Sequence, residues 1–304
     1  MLKKQNYKTI TWIDSENPTK DEVRGLMDEL ELGPEVAQDI LLPTYKDKIS
    51  LFKNHIYLIL HFPAFKHTHN KSHRQEIDFV LGKKFIITNY YESIDAMEKY
   101  AKIFEVNSIL EKNETDIGPG ELFISMMRTI YQSLADELDS INYLLRDVEK
   151  NIFNGKEKEM VFELSRIGRE IVNFNHIIAP HGNILEKLKE LGEKFLSKNF
   201  ALELDETIND YYKISRTLEN IIEILHELRE TNNSLLSTKQ NEIMKVLTIM
   251  AFVTFPLTLI SSIFGMNTKY LPIIGITGDF WIVMGIMIII AASFFIYFKS
   301  KKWF

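Results

Sequence analysis

The hydrophobic positions of the chain are most concentrated near its C-terminus, in two runs separated by a short polar break. Residues 246–264 and 280–298 each form a run of nineteen without a charged side chain. At about 1.5 Å per residue, a helix of this length reaches about 28 Å, close to the thickness of a bilayer core. The pattern therefore predicts two transmembrane helices rather than buried core helices, which seldom run so long without a charge.

Lysines around the two runs predict the orientation of these helices. Lys239 and Lys245 precede the first run, and Lys299, Lys301 and Lys302 follow the second. Positive residues stay on the cytoplasmic side of a membrane, so both termini are expected in the cytoplasm and the intervening loop outside. The chain does not begin with the apolar segment of a signal peptide. These features predict a multi-pass protein of the inner cell membrane.

The two runs differ in polarity. The second has two polar side chains, Ser293 and Tyr297, whereas the first has six residues that interrupt its apolar character: Thr248, Thr254, Pro256, Thr258, Ser261 and Ser262. Polar groups are costly in contact with lipid, so the first helix is expected to face an interior and the second to face lipid. Two helices cannot enclose a pore alone, so a pore lined by the first would require several subunits.

A segment without glycine or proline, residues 193–255, leads into the membrane. As one helix it would be about 95 Å long. Apolar residues repeat there in steps of three and four, the pattern of a coiled-coil seam: Tyr211, Ile214, Leu218, Ile221, Leu225, Leu228, Asn232 and Leu235. A shifted seam follows: Asn241, Met244, Thr248, Ala251, Phe255, Thr258 and Ser262. Ordinary helix packing explains any one of the second set, but together on the more polar run they favour a pore lining.

Acidic residues also gather on this predicted helix: Glu203, Asp205, Glu206, Asp210, Glu219, Glu223, Glu227 and Glu230. Carboxylates four residues apart repel each other on a helix. Two interpretations remain open for them. They form a solvated face, or they form an electronegative surface that concentrates divalent cations.

The N-terminal part mixes strand and helix patterns. Three β-rich runs (HIYLILHF, EIDFVLG and KKFIITNY) and two helical runs (TKDEVRGLMDELEL and ESIDAMEKYAKIFEVNSIL) predict an α/β domain. Residues 120–192 are predicted to form two antiparallel helices broken near Asn154. The chain has no P-loop, dinucleotide-binding glycine pattern, GxSxG or HExxH. It is therefore not expected to be an enzyme, and no catalytic residue is assigned.

Composition narrows the possible partners. The absence of cysteine excludes disulfides, thiolate metal sites and cysteine nucleophiles. The net charge is −6, and because residues 241–304 carry five lysines against Glu242 and Asp279, the rest of the chain is near −9. An acidic soluble part argues against nucleic acid and is compatible with cations.

Half of the histidines of the chain lie in one short segment: His61, His67, His69 and His73. A His-x-His pair at a strand end could bind zinc or a related cation. The alternative is a chance local bias in a hairpin loop.

The break between the two apolar runs begins with Gly265-Met266-Asn267, and the chain ends in KSKKWF. A GMN triplet directly after the first run, a short loop, a second run and a basic end resemble the CorA family of divalent-cation channels over nearly the whole chain. The resemblance implies an α/β N-terminal cytoplasmic domain, a long stalk helix and two C-terminal transmembrane helices, in a funnel-shaped homopentamer. The implied substrate is Mg²⁺, with Co²⁺ or Ni²⁺ as further substrates.

The resemblance also implies roles for individual residues. The selectivity filter would be Gly265, Met266 and Asn267. The pore-lining set would be Asn241, Met244, Leu247, Thr248, Ala251, Phe255 and Thr258. A regulatory divalent-ion site would involve Asp205 and Glu206, with its second half near Lys66 and His67, where the family has an acid. A further departure is Lys269, which stands two places after the triplet where the family often has an acid.

These expectations give seven segments, from the N-terminus to the C-terminus. They are a cytoplasmic α/β domain (1–118), antiparallel helices (119–192), a stalk helix (193–245), a first transmembrane helix (246–264), an outer loop (265–279), a second transmembrane helix (280–298) and a basic tail (299–304). Mg²⁺ is expected as both transported and regulatory ion, and its release from Asp205 and Glu206 is expected to open the pore. Two alternatives remain: a zinc transporter of the same fold, and a non-conducting membrane-anchored coiled-coil assembly.

Overall fold

The structure is a computed structural model, which describes residues 2–7, 10–64, 74–109, 118–269, 272–301 and 303. The chain divides into two compact units, Met1–Arg229 and Glu230–Phe304. The first contains a sheet and most of the helices. The second contains the C-terminal part of the longest helix and the last helix.

A six-stranded sheet forms the centre of the first unit. Its strands are β1 (Leu2–Tyr7), β2 (Ile10–Glu16), β3 (Lys48–Leu51), β4 (His55–Pro63), β5 (Arg74–Gly82) and β6 (Phe85–Tyr90). They lie in the order β1-β2-β6-β5-β4-β3, and β2 pairs with β6 in parallel while the other pairs are antiparallel. Strand β4 is buried along its whole length, as expected when helices cover both faces of a sheet.

Two short helices, α1 (Lys20–Leu30) and α2 (Pro34–Leu41), pack on one face of the sheet. Their apolar residues, including Leu26 and Ile40, join Tyr57 and Ile59 in one buried cluster. Thr19 starts α1 by a capping box with Glu22. The opposite face is covered by helices α3 (Asp95–Ile109), α4 (Pro119–Phe153), α5 (Glu157–Ile178) and α6 (His181–Phe195), as in the edge contact between Phe79 and Phe123.

The three predicted strands and the two predicted N-terminal helices are present. Strands β1 and β2 were not predicted, and neither β3 nor α2 was predicted from a local hydrophobic pattern. The region after residue 118 contains three helices rather than the two antiparallel helices predicted. The additional interruption lies between Ile178, where α5 ends, and His181, where α6 begins. Pro180 stands at this break, and proline cannot donate the backbone hydrogen bond that would continue a helix.

Helix α7 (Lys198–Phe264) contains 67 residues and passes through Pro256. The helix begins at Lys198 rather than at the predicted residue 193, because the chain is not helical at Ser197. The Oγ of Ser197 accepts a hydrogen bond from Phe200 N at 3.0 Å at the start of α7. The first predicted seam is buried from Tyr211 to Leu228. It packs on helices of the same chain: Tyr211 Oη donates to Ala179 O, and Arg229 donates to Leu164 O. This part of the seam is therefore an intramolecular contact rather than a coiled coil.

In the second unit, α8 (Asp279–Ser300) packs on the C-terminal part of α7. Phe252 contacts Phe298 edge to face at 6.3 Å between ring centroids, and Ile249 and Phe298 are buried. Among the described residues, α7 and α8 are the two helices long and apolar enough to cross a membrane. They contain the two apolar runs of the sequence.

Candidate ion pathway and cytoplasmic carboxylates

The predicted pore-lining residues occupy a limited part of the surface of α7. Successive residues of an α-helix lie about 100° apart around its axis. Counted from Ile249, which is buried, the seven candidates lie between about 160° and about 280°. None of them is within about 80° of Ile249. The seam is therefore mostly on the side of α7 away from that buried position.

Most of this seam is exposed in the single chain. Asn241 and Thr258 are exposed, and Thr248 and Ala251 are half-buried. Three large apolar side chains of the seam are more than half exposed: Met244 (55%), Leu247 (54%) and Phe255 (74%). Exposure alone does not distinguish the seam, because an apolar residue on another side of α7, Met250 (57%), is similarly exposed.

The threonines of the first membrane run use their hydroxyl hydrogens within the helix. Thr248 Oγ1 donates to Met244 O at 2.7 Å, and Thr258 Oγ1 donates to Thr254 O at 2.8 Å. This satisfies the donor without a partner from another helix. The lone pairs of each hydroxyl oxygen remain able to accept hydrogen bonds. Thr258 can therefore accept from water beside the seam.

The GMN triplet directly follows the last residue of α7. Gly265 N still donates to Ser261 O at 2.9 Å, and Met266 N donates to Ile263 O at 3.3 Å, which tightens the last turn. A β-carbon on Gly265 would lie 3.0 Å from Ser261 O. Gly265 is not among the described glycines with positive φ. A β-carbon here would therefore require the last turn of α7 to shift by a few tenths of an ångström.

Met266 and Asn267 are exposed, Met266 at 55%. More than half of the Met266 side chain is therefore uncovered by the described residues of the single chain. Further along the loop, Gly275 and Gly278 both adopt positive φ. Asp279 Oδ2 accepts a hydrogen bond from Gly275 N at 3.2 Å, and its Oδ1 accepts from Phe280 N at 2.7 Å. Both oxygens of this loop acid thus bind backbone at the start of α8.

The two proposed regulatory carboxylates each have a basic partner in the same chain. Lys189 Nζ of α6 lies 2.5 Å from Asp205 Oδ1, and Arg128 of α4 lies 3.0 Å from Glu206 Oε2. The hydrogen bond to Asp205 raises the pKa of Lys189. Arg128 also lies 4.0 Å from Asp210. A divalent ion at these carboxylates would compete with both basic side chains.

The histidine segment is only partly described. His67, His69 and His73, with Lys66, lie outside the described residues. His61 lies in β4 with both ring nitrogens close to oxygen atoms of Asp47, Thr44 and Glu76, so neither nitrogen is free for zinc. Within the described ranges, no group of three His, Asp or Glu side chains is arranged to hold a metal ion.

Sequence reasoning missed the partners of these groups. Arg128 and Glu206 are 78 residues apart, and His61 and His181 are 120 residues apart. No local pattern connects such residues. The packing of α4 on α7 brings the first pair together, and the packing of α6 on β4 brings the second pair together.

The sequence profile of the family described as "CorA-like Mg2+ transporter protein" matches residues 7–301. The chain belongs to the CorA family. This confirms the resemblance inferred from the GMN triplet and its surroundings, and the family is one of transporters rather than enzymes. The N-terminal α/β sheet, the long helix and the apolar C-terminal helix are the fold expected for it.

Relatives of the chain span nearly its whole length. It is 25% identical over 297 residues to "Cobalt/magnesium transport protein CorA" of Thermotoga maritima, covering 97% of this chain and 84% of the relative. It is 21% identical to "Putative metal ion transporter YfjQ" of Bacillus subtilis, covering 96% and 89%. The complete CorA magnesium transporter structure from Methanocaldococcus jannaschii superimposes with a TM-score of 0.85 at 20% identity, covering 97% of this chain and 92% of that one. This structure confirms the fold.

Proposed function

We propose that the protein is a homopentameric channel for divalent cations that carries Mg²⁺ into the cell, with Co²⁺ or Ni²⁺ as further substrates. The observation that carries this proposal is the position of the GMN triplet directly after α7, one of the two described helices long and apolar enough to cross a membrane. Five such helices around an axis would cover the seam with copies of itself. Membership of the CorA family and relatives named as magnesium and cobalt transport proteins support it.

Asn267 would form the filter as a ring of neutral oxygens. Mg²⁺ sheds its water reluctantly and requires octahedral geometry. A ring of carboxylates would hold such an ion too tightly for it to leave. Amide oxygens can instead accept hydrogen bonds from the ion's water shell. The exposure of Asn267 at the end of α7 supports this role.

The seam on the cytoplasmic side of the filter would have a polar part, which contacts the hydrated ion, and an apolar part, at which the channel closes. Thr258 offers hydroxyl lone pairs to the hydrated ion. Met244, Leu247 and Phe255 would form a narrow apolar girdle, and a hydrophobic constriction closes a pore by excluding water. Asn241 would line the pore on the side of the girdle opposite the filter.

Regulation would depend on Asp205 and Glu206. Carboxylate oxygens are the ligands that Mg²⁺ prefers, and an ion shared between subunits would offset the repulsion of their acidic surfaces. Release of the ion when intracellular Mg²⁺ falls would restore this repulsion and widen the girdle. Lys189 and Arg128 would lower the affinity of this site, because each already neutralises one carboxylate.

The proposed orientation follows from the lysines around α7 and α8. Lys245, Lys299 and Lys301 would lie at the cytoplasmic surface of the inner membrane. The first unit and both termini would then be cytoplasmic, and the GMN loop would face outward. The bilayer would surround α8, whose apolar side chains Ile288, Ile289 and Ile296 are exposed in the chain.

Two measurements on the purified full-length protein test this proposal. Native mass determination should give five chains per particle. In proteoliposomes, Mg²⁺ uptake should be blocked by hexaammine-cobalt, a mimic of hydrated Mg²⁺. Uptake of Zn²⁺ but not Mg²⁺ would favour a zinc transporter of the same fold. Absence of flux for every divalent ion tested, from a folded oligomer, would favour a non-conducting assembly.

A further inference from the structure

A second group of charged residues, remote in sequence from the proposed ion pathway, lies inside the first unit. His61 is buried in β4, with its Nδ1 2.8 Å from Asp47 Oδ1. Its Nε2 lies 3.2 Å from Glu76 Oε2 and 3.1 Å from Thr44 O. Each ring nitrogen therefore faces oxygen acceptors. A neutral imidazole can donate from one nitrogen alone, whereas the imidazolium donates from both.

The partners of His61 belong to two parts of the fold. Glu76 is on β5, directly opposite His61 in the strand register. Thr44 and Asp47 are in the connection between α2 and β3, residues 42–47. Thr44 donates to Glu76 from its backbone N at 2.6 Å and from Oγ1 at 3.1 Å. Asp47 also accepts from the backbone N of His61 at 2.8 Å. The imidazolium thus joins this connection to the centre of the sheet.

Other charged and titratable groups surround this cluster, and their states matter for its charge. Arg74 lies 3.9 Å from Asp47 Oδ2. Burial, together with the charge of Glu76, keeps the pKa of Asp78 well above its usual range, which favours its neutral form. Two basic side chains thus lie beside two carboxyl groups: His61 contacts both Asp47 and Glu76, and Arg74 contacts Asp47.

The helical side of β4 contributes a neutral group. His181 at the start of α6 donates from Nε2 to His61 O at 2.8 Å, and it accepts from Tyr131 Oη of α4 at Nδ1, at 3.0 Å. Burial lowers the pKa of His181 to about 4. This histidine is therefore uncharged at neutral pH and cannot replace the charge on His61.

The environment of His61 favours its charged form. Burial opposes the charge, but hydrogen bonds to Asp47, Glu76 and Thr44 outweigh it and raise the pKa of His61 above 6.5. Burial raises the pKa of Asp47, but its hydrogen bonds with the side chain and backbone of His61 and the charge of His61 outweigh that effect and lower it. A group with a raised folded-state pKa stabilises the fold fully below its unfolded pKa, and loses this effect as the pH rises through its folded pKa.

We propose that the His61 imidazolium is a latch that holds the 42–47 connection on the sheet, and that loss of its proton at alkaline pH releases this connection. Deprotonation leaves one ring nitrogen lone pair facing a carboxylate or carbonyl oxygen. It also leaves an excess negative charge in a buried site, which is costly. The connection carries two exposed apolar side chains, Tyr45 (88%) and Leu42 (64%), so its release would change the surface of the first unit.

The absence of cysteine allows a direct test in the full-length protein. Tyr45→Cys would carry a nitroxide spin label on the connection, and Tyr143→Cys, 74% exposed on α4, would carry the matched control label. Label mobility would be measured by electron paramagnetic resonance from about pH 6 to about pH 10. The mobility at position 45 should rise in one titration above the ordinary histidine range, and the mobility at position 143 should stay constant.

Two variants identify the titrating group. Glu76→Gln removes one of the two carboxylates, so the midpoint should fall by about one pH unit. His61→Gln should make the label at 45 mobile at every pH; if that variant does not fold, Glu76→Gln alone decides. The proposal would be overturned by pH-independent mobility at position 45, by an unchanged midpoint in Glu76→Gln, or by an equal change at position 143.

Discussion

The guanidinium of Arg128 lies 3.0 Å from the carboxylate of Glu206, across the contact between α4 and α7. Lys189 makes the equivalent contact with Asp205, the neighbouring residue on α7. Both pairs lie at the carboxylates proposed to bind regulatory Mg²⁺. Two basic side chains, Arg128 and Lys189, therefore already pair with the carboxylates at which the divalent ion is expected to bind.

Removal of the basic side chain of Arg128 or Lys189 should make the channel more sensitive to inhibition by intracellular Mg²⁺. In Arg128→Ala and Lys189→Ala, the Mg²⁺ concentration that half-inhibits flux should fall by about two- to five-fold, because exposed ion pairs are weak. Arg166→Ala is the matched control, since Arg166 pairs with Glu163 and Glu170 on α5. Flux would be measured in proteoliposomes at several internal Mg²⁺ concentrations.

The same assay tests the carboxylates themselves. Asp205→Asn combined with Glu206→Gln should leave flux insensitive to internal Mg²⁺. Unchanged inhibition in this double variant would place the regulatory site elsewhere on the protein.

The apolar girdle predicts a difference between two methionines of α7. Met244 and Met250 are similarly exposed, at 55% and 57%, but they lie about 120° apart around the helix. Met244→Asn should hydrate the girdle and raise flux at high internal Mg²⁺, whereas Met250→Asn should not. Equal effects of the two substitutions on flux would contradict the assignment of the pore-facing side.

Substitution of Gly265 by alanine should cause a steric clash at the start of the proposed filter. Alanine there would place its β-carbon 3.0 Å from Ser261 O, whereas alanine at Gly285, inside α8, would meet nothing within 4 Å beyond the backbone of its own helix. Gly265→Ala should therefore shift the end of α7 and reduce flux several-fold, about 1 kcal/mol or more in barrier height. Gly285→Ala should conduct normally. Normal flux in both would show that the position tolerates a side chain.

Protonation of the buried His181 should lower the free energy of unfolding in acid. Its pKa is lowered to about 4 by burial, so protonation between about pH 6.5 and about pH 4 favours the unfolded chain by about 3 kcal/mol. Asp14 and Asp78 have raised pKa values and act in the opposite direction, so the comparison must be between variants. His181→Gln should weaken the pH dependence of urea unfolding, followed by circular dichroism at about pH 7 and about pH 5. An identical dependence in the variant would contradict the buried neutral state.

The sequence predicted the elements that have strong local patterns. Strand β4 is a long, mostly apolar run, the predicted part of β5 is rich in apolar residues, and α1 has helical periodicity with a capping box at its start. Strand β3 has four residues and α2 has eight, too few to establish a period. Pro34 at the start of α2 was the available signal, because proline favours the first turn of a helix.

The candidate site depends on local patterns in part. The GMN triplet and the spacing of Met244, Ala251 and Phe255 predict a pore-facing side of α7, because three- and four-residue steps describe one side of a helix. The partners of Asp205 and Glu206 were not predictable, because they come from α6 and α4. The sequence also could not indicate why glycine stands at 265, since that depends on the last turn of α7.

Mg²⁺ uptake into proteoliposomes, followed with an internal indicator dye, tests the central claim most directly. Wild-type protein should admit Mg²⁺, and Asn267→Ala, correctly folded and assembled, should abolish uptake, because the ring of amide oxygens would be lost. Full uptake in the Asn267→Ala variant would contradict a filter at the GMN triplet.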